Sequence, residues 1–216
     1  MALVFTGDEF GDGGMAIADA LQQANIKASF FLTGRFYRNK DFKRILRRLK
    51  GDGHYLGAHS NDHLLYNDWT KRDSLLVTKE QFVQDLQKNY EAMQQLGIAK
   101  KEAPFFLPPY EWYNDTIAAW TKEAGLQLIN MTPGTLSHAD YTTPDAKNYR
   151  SSDVIFNSIT TYEKQRGLNG FILLVHIGTD SKRTDKFYNQ LPQLLLYLKQ
   201  NGYEPVRIDQ LLATRP

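Results

Sequence analysis

Residues 2–32, ALVFTGDEFGDGGMAIADALQQANIKASFFL, decide the fold class of this chain. Ala2 to Thr6 is a short apolar run of strand character. Gly14 to Gln23 carries apolar residues at helical spacing, and Ala28 to Leu32 is apolar again. Strand, helix and strand in so short a stretch call for a crossover unit and parallel pairing. The alternation continues to the end of the chain. Further strands are predicted at His54 to Ala58, Pro104 to Leu107, Leu126 to Asn130, Gly170 to His176 and Glu204 to Ile208, seven in all. Further helices are predicted at Asp41 to Lys50, Lys79 to Leu96, Asn114 to Ala124, Ser152 to Gln165 and Asp185 to Gln200. Asn25, Gly51, Gly97, Gly125 and Gly202 follow helical runs as stops, and Thr78 with Gln81 forms a capping-box pattern. The class is therefore α/β, a parallel sheet either open or closed into a barrel. Both place chemistry at the carboxyl ends of strands.

The 216 residues fit one domain, 1–216. No apolar run approaches the roughly 20 residues of a membrane span. A net charge of +2 does not argue for nucleic acid. The one basic cluster, Arg35 to Lys50, has Phe42, Ile45, Leu46 and Leu49 at helical spacing among its charges, which reads as the solvated face of an amphipathic helix. Without cysteine there is no thiolate metal site, so any metal must rest on histidine and carboxylate. The oligomeric state is not written in the sequence.

Polar residues cluster where the strands end. After the first strand stand the adjacent acids Asp8 and Glu9, tolerable side by side if a cation lies near; the competing reading is a polar turn with Asp12 as helix N-cap. After the third stand His59 and His63, whose spacing suits one turn of helix and a shared ion. After the fourth comes the stiff turn Leu107-Pro108-Pro109-Tyr110-Glu111-Trp112. The sixth delivers Leu174-Val175-His176 to the same edge.

In this order the motifs resemble those of the polysaccharide deacetylases, carbohydrate esterase family four, of the NodB-homology type. Thr6 to Glu9 resembles the family's Thr-Phe-Asp-Asp, His59 to His63 its metal-binding histidine pair, Leu107 to Tyr110 its Arg-x-Pro-Tyr turn, and Leu174 to His176 its Leu-x-His. The resemblance implies a distorted (β/α) barrel of about seven parallel strands surrounded by helices. It also implies a metal-dependent hydrolase that removes N-acetyl or O-acetyl groups from a polysaccharide or oligosaccharide. Asp8 would be the general base and His176 the acid, with Glu9, His59 and His63 holding a divalent metal. Zinc leads over cobalt, nickel or manganese. Pro109, Tyr110, Trp112 and Leu174 would bind the acetylated carbohydrate, Trp112 as a stacking surface. A secreted or periplasmic location is expected, with any signal peptide trimmed from this chain. Three departures stand out: Glu9 replaces Asp, Leu107 replaces the arginine that orients the base, and the later acidic motif has no clear counterpart. Arg150, or another basic residue from a loop, could substitute for that arginine, and Asp140 and Asp145 are the candidate partners of His176. The alternatives are a metal-dependent amidohydrolase acting on a small non-sugar C–N bond and a carbohydrate-binding relic.

Overall fold

The computed structural model describes residues 1–213. Six strands, β1 (Ala2–Gly7), β2 (Ser29–Leu32), β3 (Tyr55–Ala58), β4 (Phe105–Phe106), β5 (Gln127–Leu128) and β6 (Ile172–His176), form one sheet in the order β5-β4-β3-β2-β1-β6. The α-helices are α1 (Gly14–Gln23), α2 (Gly34–Arg38), α3 (Lys43–Gly51), α4 (Lys79–Gln94), α5 (Asp115–Glu123), α6 (Ser152–Arg166), α7 (Leu191–Gln200) and α8 (Ile208–Leu211). The α/β class and the parallel pairing are as the sequence predicts.

The seventh predicted strand, Glu204 to Ile208, does not form. Val206 N–H reaches Met1 O at 3.0 Å, but Pro205 has no N–H to give, and Ile208 N–H is taken at 2.8 Å by Ser29 Oγ as α8 begins. Helix stops hold at Asn25, Gly97, Gly125 and Gly202, all with positive φ. Gly51 is the exception: α3 runs through it, and the left-handed residue is Gly53. Thr78 and Gln81 form the complete capping box of α4.

The chain groups into two compact units. The first comprises residues 1–30, 48–55 and 131–216. Its β1 is buried along its whole length, as an interior parallel strand must be, and pairs with β6 from Ala2↔Ile172 to Thr6↔His176. Phe5 stacks on Phe30 at 4.9 Å, and α1 packs against α7, the two helices burying Ile17, Leu21, Leu191, Leu194 and Leu198. Each such leucine contributes about 1.5–3 kcal/mol by leaving water. The second comprises residues 31–47 and 56–130. There β3, β4 and β5 pair in parallel, and α4 lays Phe82, Leu86 and Met93 against the interior while packing on α2.

His54, just before β3, is 6% exposed; its Nδ1 accepts the Ala28 N–H at 3.1 Å and its ring meets Phe30 edge-on. Burial, reinforced by Lys27, pushes its pKa down to about 4. The unfolded chain therefore binds a proton that the folded chain refuses between pH 6.5 and 4, so stability is full above 6.5 and declines as pH falls through that window. Urea unfolding at pH 4 and pH 7 should show a difference of about 3 kcal/mol from this group, absent in His54→Gln; an equal pH slope in the variant would contradict it.

Candidate functional site

In the first unit, the pairing of Thr6 with His176 brings out Asp8 and His176 at the carboxyl end of neighbouring strands. Asp8 is half-buried two residues beyond Thr6, and Glu9 is exposed beside it. His176 is fixed twice by one buried carboxylate: Asp140 Oδ1 stands 2.6 Å from its Nδ1, and Asp140 Oδ2 accepts its backbone N–H at 2.9 Å. Nδ1–H therefore donates to the acid, and a proton exchanged with a ligand would pass through Nε2. Asp145 plays no part in this; it is exposed and accepts from Thr143 Oγ1. Tyr141 lies 5.1 Å from the His176 ring and is half exposed. Burial and the neighbouring His176 depress the pKa of His138, favouring its neutral form.

Two ties hold these loops. Asp12 does not cap α1, whose N-cap is Gly13 without a side-chain bond. Instead it accepts Thr179 N–H at 2.8 Å, Tyr188 Oη–H at 2.9 Å and Lys186 Nζ at 3.0 Å, clamping the loop after β1 to the loop after β6. Burial alone would raise the Asp12 pKa, but these hydrogen bonds outweigh it and hold the carboxyl below its ordinary value. The approach is close enough that a Cβ on Gly178 would meet Gly11 N at 2.5 Å. The second tie is Arg183, fully buried, which donates to Thr142 O at 2.7 Å and Arg150 O at 3.0 Å, bracing the segment that follows Asp140. Arg150 spends its own Nη1 on Tyr149 O at 2.7 Å. Leu174 is fully buried within β6.

In the second unit, His59 and His63 are brought together by a loop rather than by the helical turn that their spacing suggests. Ser60 and His63 both have positive φ. Asp85, buried on α4, accepts Ser60 Oγ–H at 2.7 Å, Asn61 N–H at 2.9 Å and Asp62 N–H at 3.0 Å. Asn89, one turn on, accepts His59 N–H at 2.9 Å, and Arg38 donates to Asn61 Oδ1 at 2.7 Å. His59 Nδ1–H donates to Leu107 O at 2.7 Å, which leaves Nε2 as its lone-pair nitrogen, the usual arrangement behind a metal-binding imidazole. The rings of His59 and His63 stand 5.1 Å apart. Two imidazoles bound tetrahedrally to one ion at ~2.0–2.1 Å per bond have centroids about 5 Å apart, a spacing similar to that of this pair. Among the described residues, no group of three His, Cys, Asp or Glu side chains stands placed to hold a metal ion.

Pro108 and Pro109 lead into Tyr110 and Glu111, two consecutive residues with positive φ. Of five such non-glycine residues among those described, four are Ser60, His63, Tyr110 and Glu111. Strain of this kind, about 1–3 kcal/mol per residue, persists where surrounding contacts impose it and gathers at functional sites. Pro109 is buried, and the exposed Tyr110 ring packs 4.4 Å from His63. Trp112 is half-buried, with the Arg72 guanidinium 4.4 Å from its ring centre. Sequence reasoning missed Asp85 and Asn89. Their signal was available: they are polar residues at the buried helical positions that Phe82, Leu86 and Met93 share.

The polysaccharide deacetylase family model matches residues 8–129, more than half of the chain. A peptidoglycan-N-acetylglucosamine deacetylase of Bacillus cereus is 25% identical over 199 residues, covering 92% of this chain and 62% of the relative. Another, from Listeria monocytogenes, is 28% identical over 199 residues, covering 92% of this chain and 36% of the relative. The chain thus spans less than two thirds of either relative. Among solved structures, a pseudoenzyme of carbohydrate esterase family four from Bacillus anthracis superposes with a TM-score of 0.73 at 19% identity, covering 98% of this chain and 64% of the other. The distorted (β/α) barrel class is thereby shared, with six strands among the described residues in place of the seven expected. With the motifs in family order and the family model spanning more than half its length, this chain belongs to the polysaccharide deacetylase family.

Proposed function

We propose that the chain is a metal-dependent carbohydrate deacetylase that hydrolyses N-acetyl or O-acetyl groups on a polysaccharide or oligosaccharide. One observation carries the reading: a histidine held by a buried carboxylate, His176 on Asp140, at the same strand edge as Asp8. A family hydrolase needs such an acid and such a base. His59 and His63 would hold the divalent ion, zinc first, with Glu9 as third ligand on the strength of the family resemblance alone. When bound, that ion would lower the pKa of the attacking water and polarise the acetyl carbonyl.

Asp8 removes the proton from the water as its oxygen bonds to the acetyl carbon. The Tyr110 backbone N–H, presented by the strained turn after Pro109, donates to the developing oxyanion. The bond from carbon to the sugar nitrogen or oxygen then breaks. His176 Nε2 gives its proton to that leaving atom, and Asp140 stabilises the imidazolium that precedes this transfer. The products are acetate and a free amine or hydroxyl. With a cell-wall or plant glycan as substrate, the protein would work outside the cytoplasm. No helix among the described residues is long and apolar enough to cross a membrane.

A binding-only reading has two observations in its favour: Leu107 stands where the family has its base-orienting arginine, and a pseudoenzyme shares the fold. Acetate release separates the two. Zinc- or cobalt-loaded protein should free acetate from N-acetylglucosamine oligomers or acetylated xylan, and Asp8→Asn should lower kcat by about 10²–10⁴. No release from any of these, or an unchanged rate in Asp8→Asn, would overturn the proposal. Asp140→Asn should lower kcat about a hundredfold with KM little changed, because it removes the charge that supports the imidazolium. An unchanged kcat would remove Asp140 from the mechanism.

A further inference from the structure

Trp69 lies outside every motif that suggests the chemistry, on the segment that joins the histidine loop to α4. Its side chain is 53% exposed. Single exposed apolar residues are common, so exposure alone decides nothing. What surrounds Trp69 does. Asp68 Oδ1 accepts the N–H of Thr70 and Lys71 at 2.8 and 2.7 Å and the Thr70 hydroxyl at 2.7 Å. Asp68 N–H donates to Ser74 O at 2.9 Å, Leu76 N–H to Tyr66 O at 2.8 Å, and Asn67 bridges to Leu75. The segment is a closed loop with Trp69 near its tip.

That loop is fastened to the turn carrying Tyr110. Trp112 Nε1–H donates to Asp68 O at 3.2 Å, Arg72 Nε–H to Tyr113 O at 2.7 Å, and Asn114 Nδ2–H to Arg72 O at 2.9 Å. Trp112, which the sequence suggests as a stacking surface, is instead a support: it carries Arg72 at 4.4 Å and the Trp69 ring at 5.7 Å, tilted 31°. Trp69 also meets Tyr110, 43% exposed, edge-on at 5.5 Å, and Tyr110 meets His63 at 4.4 Å. The rings of His63, Tyr110 and Trp69 form a continuous file leading away from the histidine pair.

We infer that Trp69 is a stacking surface for a pyranose ring of the substrate, next to the sugar whose acetyl group is removed. The inference rests on the proposed deacetylase reading. A pyranose offers an apolar C–H face to an indole and hydroxyls to the rim. The rim here is polar, with Thr70, Lys71, Arg72 and Asp73 all exposed. A protein or lipid surface would instead call for a contiguous apolar patch. Immobilisation of Trp69 before the ligand arrives reduces the entropy lost on binding.

The test compares wild type, Trp69→Ala and Trp69→Phe on N-acetylglucosamine monomer and pentamer, with calorimetric binding of that pentamer and of xylopentaose measured separately. Trp69→Ala should lower the pentamer-to-monomer ratio of kcat/KM about tenfold and weaken pentasaccharide binding similarly, and Trp69→Phe should restore most of both. An unchanged ratio, equal losses on monomer and pentamer, or absence of wild-type binding to either pentasaccharide would overturn the inference. Binding that weakens in Trp69→Ala while wild type frees no acetate would support the stacking site and defeat the deacetylase reading alone.

Discussion

The carboxylate of Asp85 governs the segment on which half of the proposed chemistry depends. Left-handed backbone at Ser60 and His63 is unfavourable for residues with a Cβ, by about 1–3 kcal/mol each. Three donors converging on one buried charged acceptor offset this, because hydrogen bonds to ionised groups are stronger than neutral ones. The loop thereby acquires one conformation. Asn89 and Arg38 complete it from neighbouring helices, so the histidines stand on a scaffold rather than on a free connection. The turn at Tyr110 repeats the device, with two prolines in place of the carboxylate.

The first unit solves a different problem in a similar way. His176 ends a buried strand, and its ring must hold one tautomer and one orientation. Asp140 supplies both by binding Nδ1 and the backbone N–H of the same residue. Arg183 and Asp12 then hold the loops on either side, the former by donating to carbonyls and the latter by receiving three donors. In the second unit the buried carboxylate, Asp85, is carried by α4; in the first, Asp140 is carried by the short helical turn Ser137–Tyr141 and grips the end of β6.

Much of this was legible in the sequence, for physical reasons. Strands with two buried faces write near-continuous apolar runs, so β1 and β6 could be read almost to the residue. Short strands such as β4 and β5 write little more than their existence. Glu204 to Ile208 has strand composition, but a proline at Pro205 and a side-chain acceptor at Ser29 send it elsewhere, and only the fold reveals the second of these. The spacing of the histidine pair suggests a helical turn; the residues do meet, but through positive φ at non-glycine positions, which spacing cannot announce. Asp140 and Asp145 could not be separated in the sequence because partner choice depends on a contact 36 residues away along the chain. Trp69 carried no local signal, since its setting is made by Arg72, Trp112 and Tyr110 together.

In the proposed site, Asp85 shapes the loop on which His59 and His63 would act as two ligands of a divalent cation. Zinc titration of the metal-stripped protein by calorimetry measures this. One ion per chain is expected, with an affinity about 10–100-fold weaker in Asp85→Ala and no such binding in a His59→Ala/His63→Ala double variant. Zinc bound as tightly by the double variant as by the wild type would contradict it.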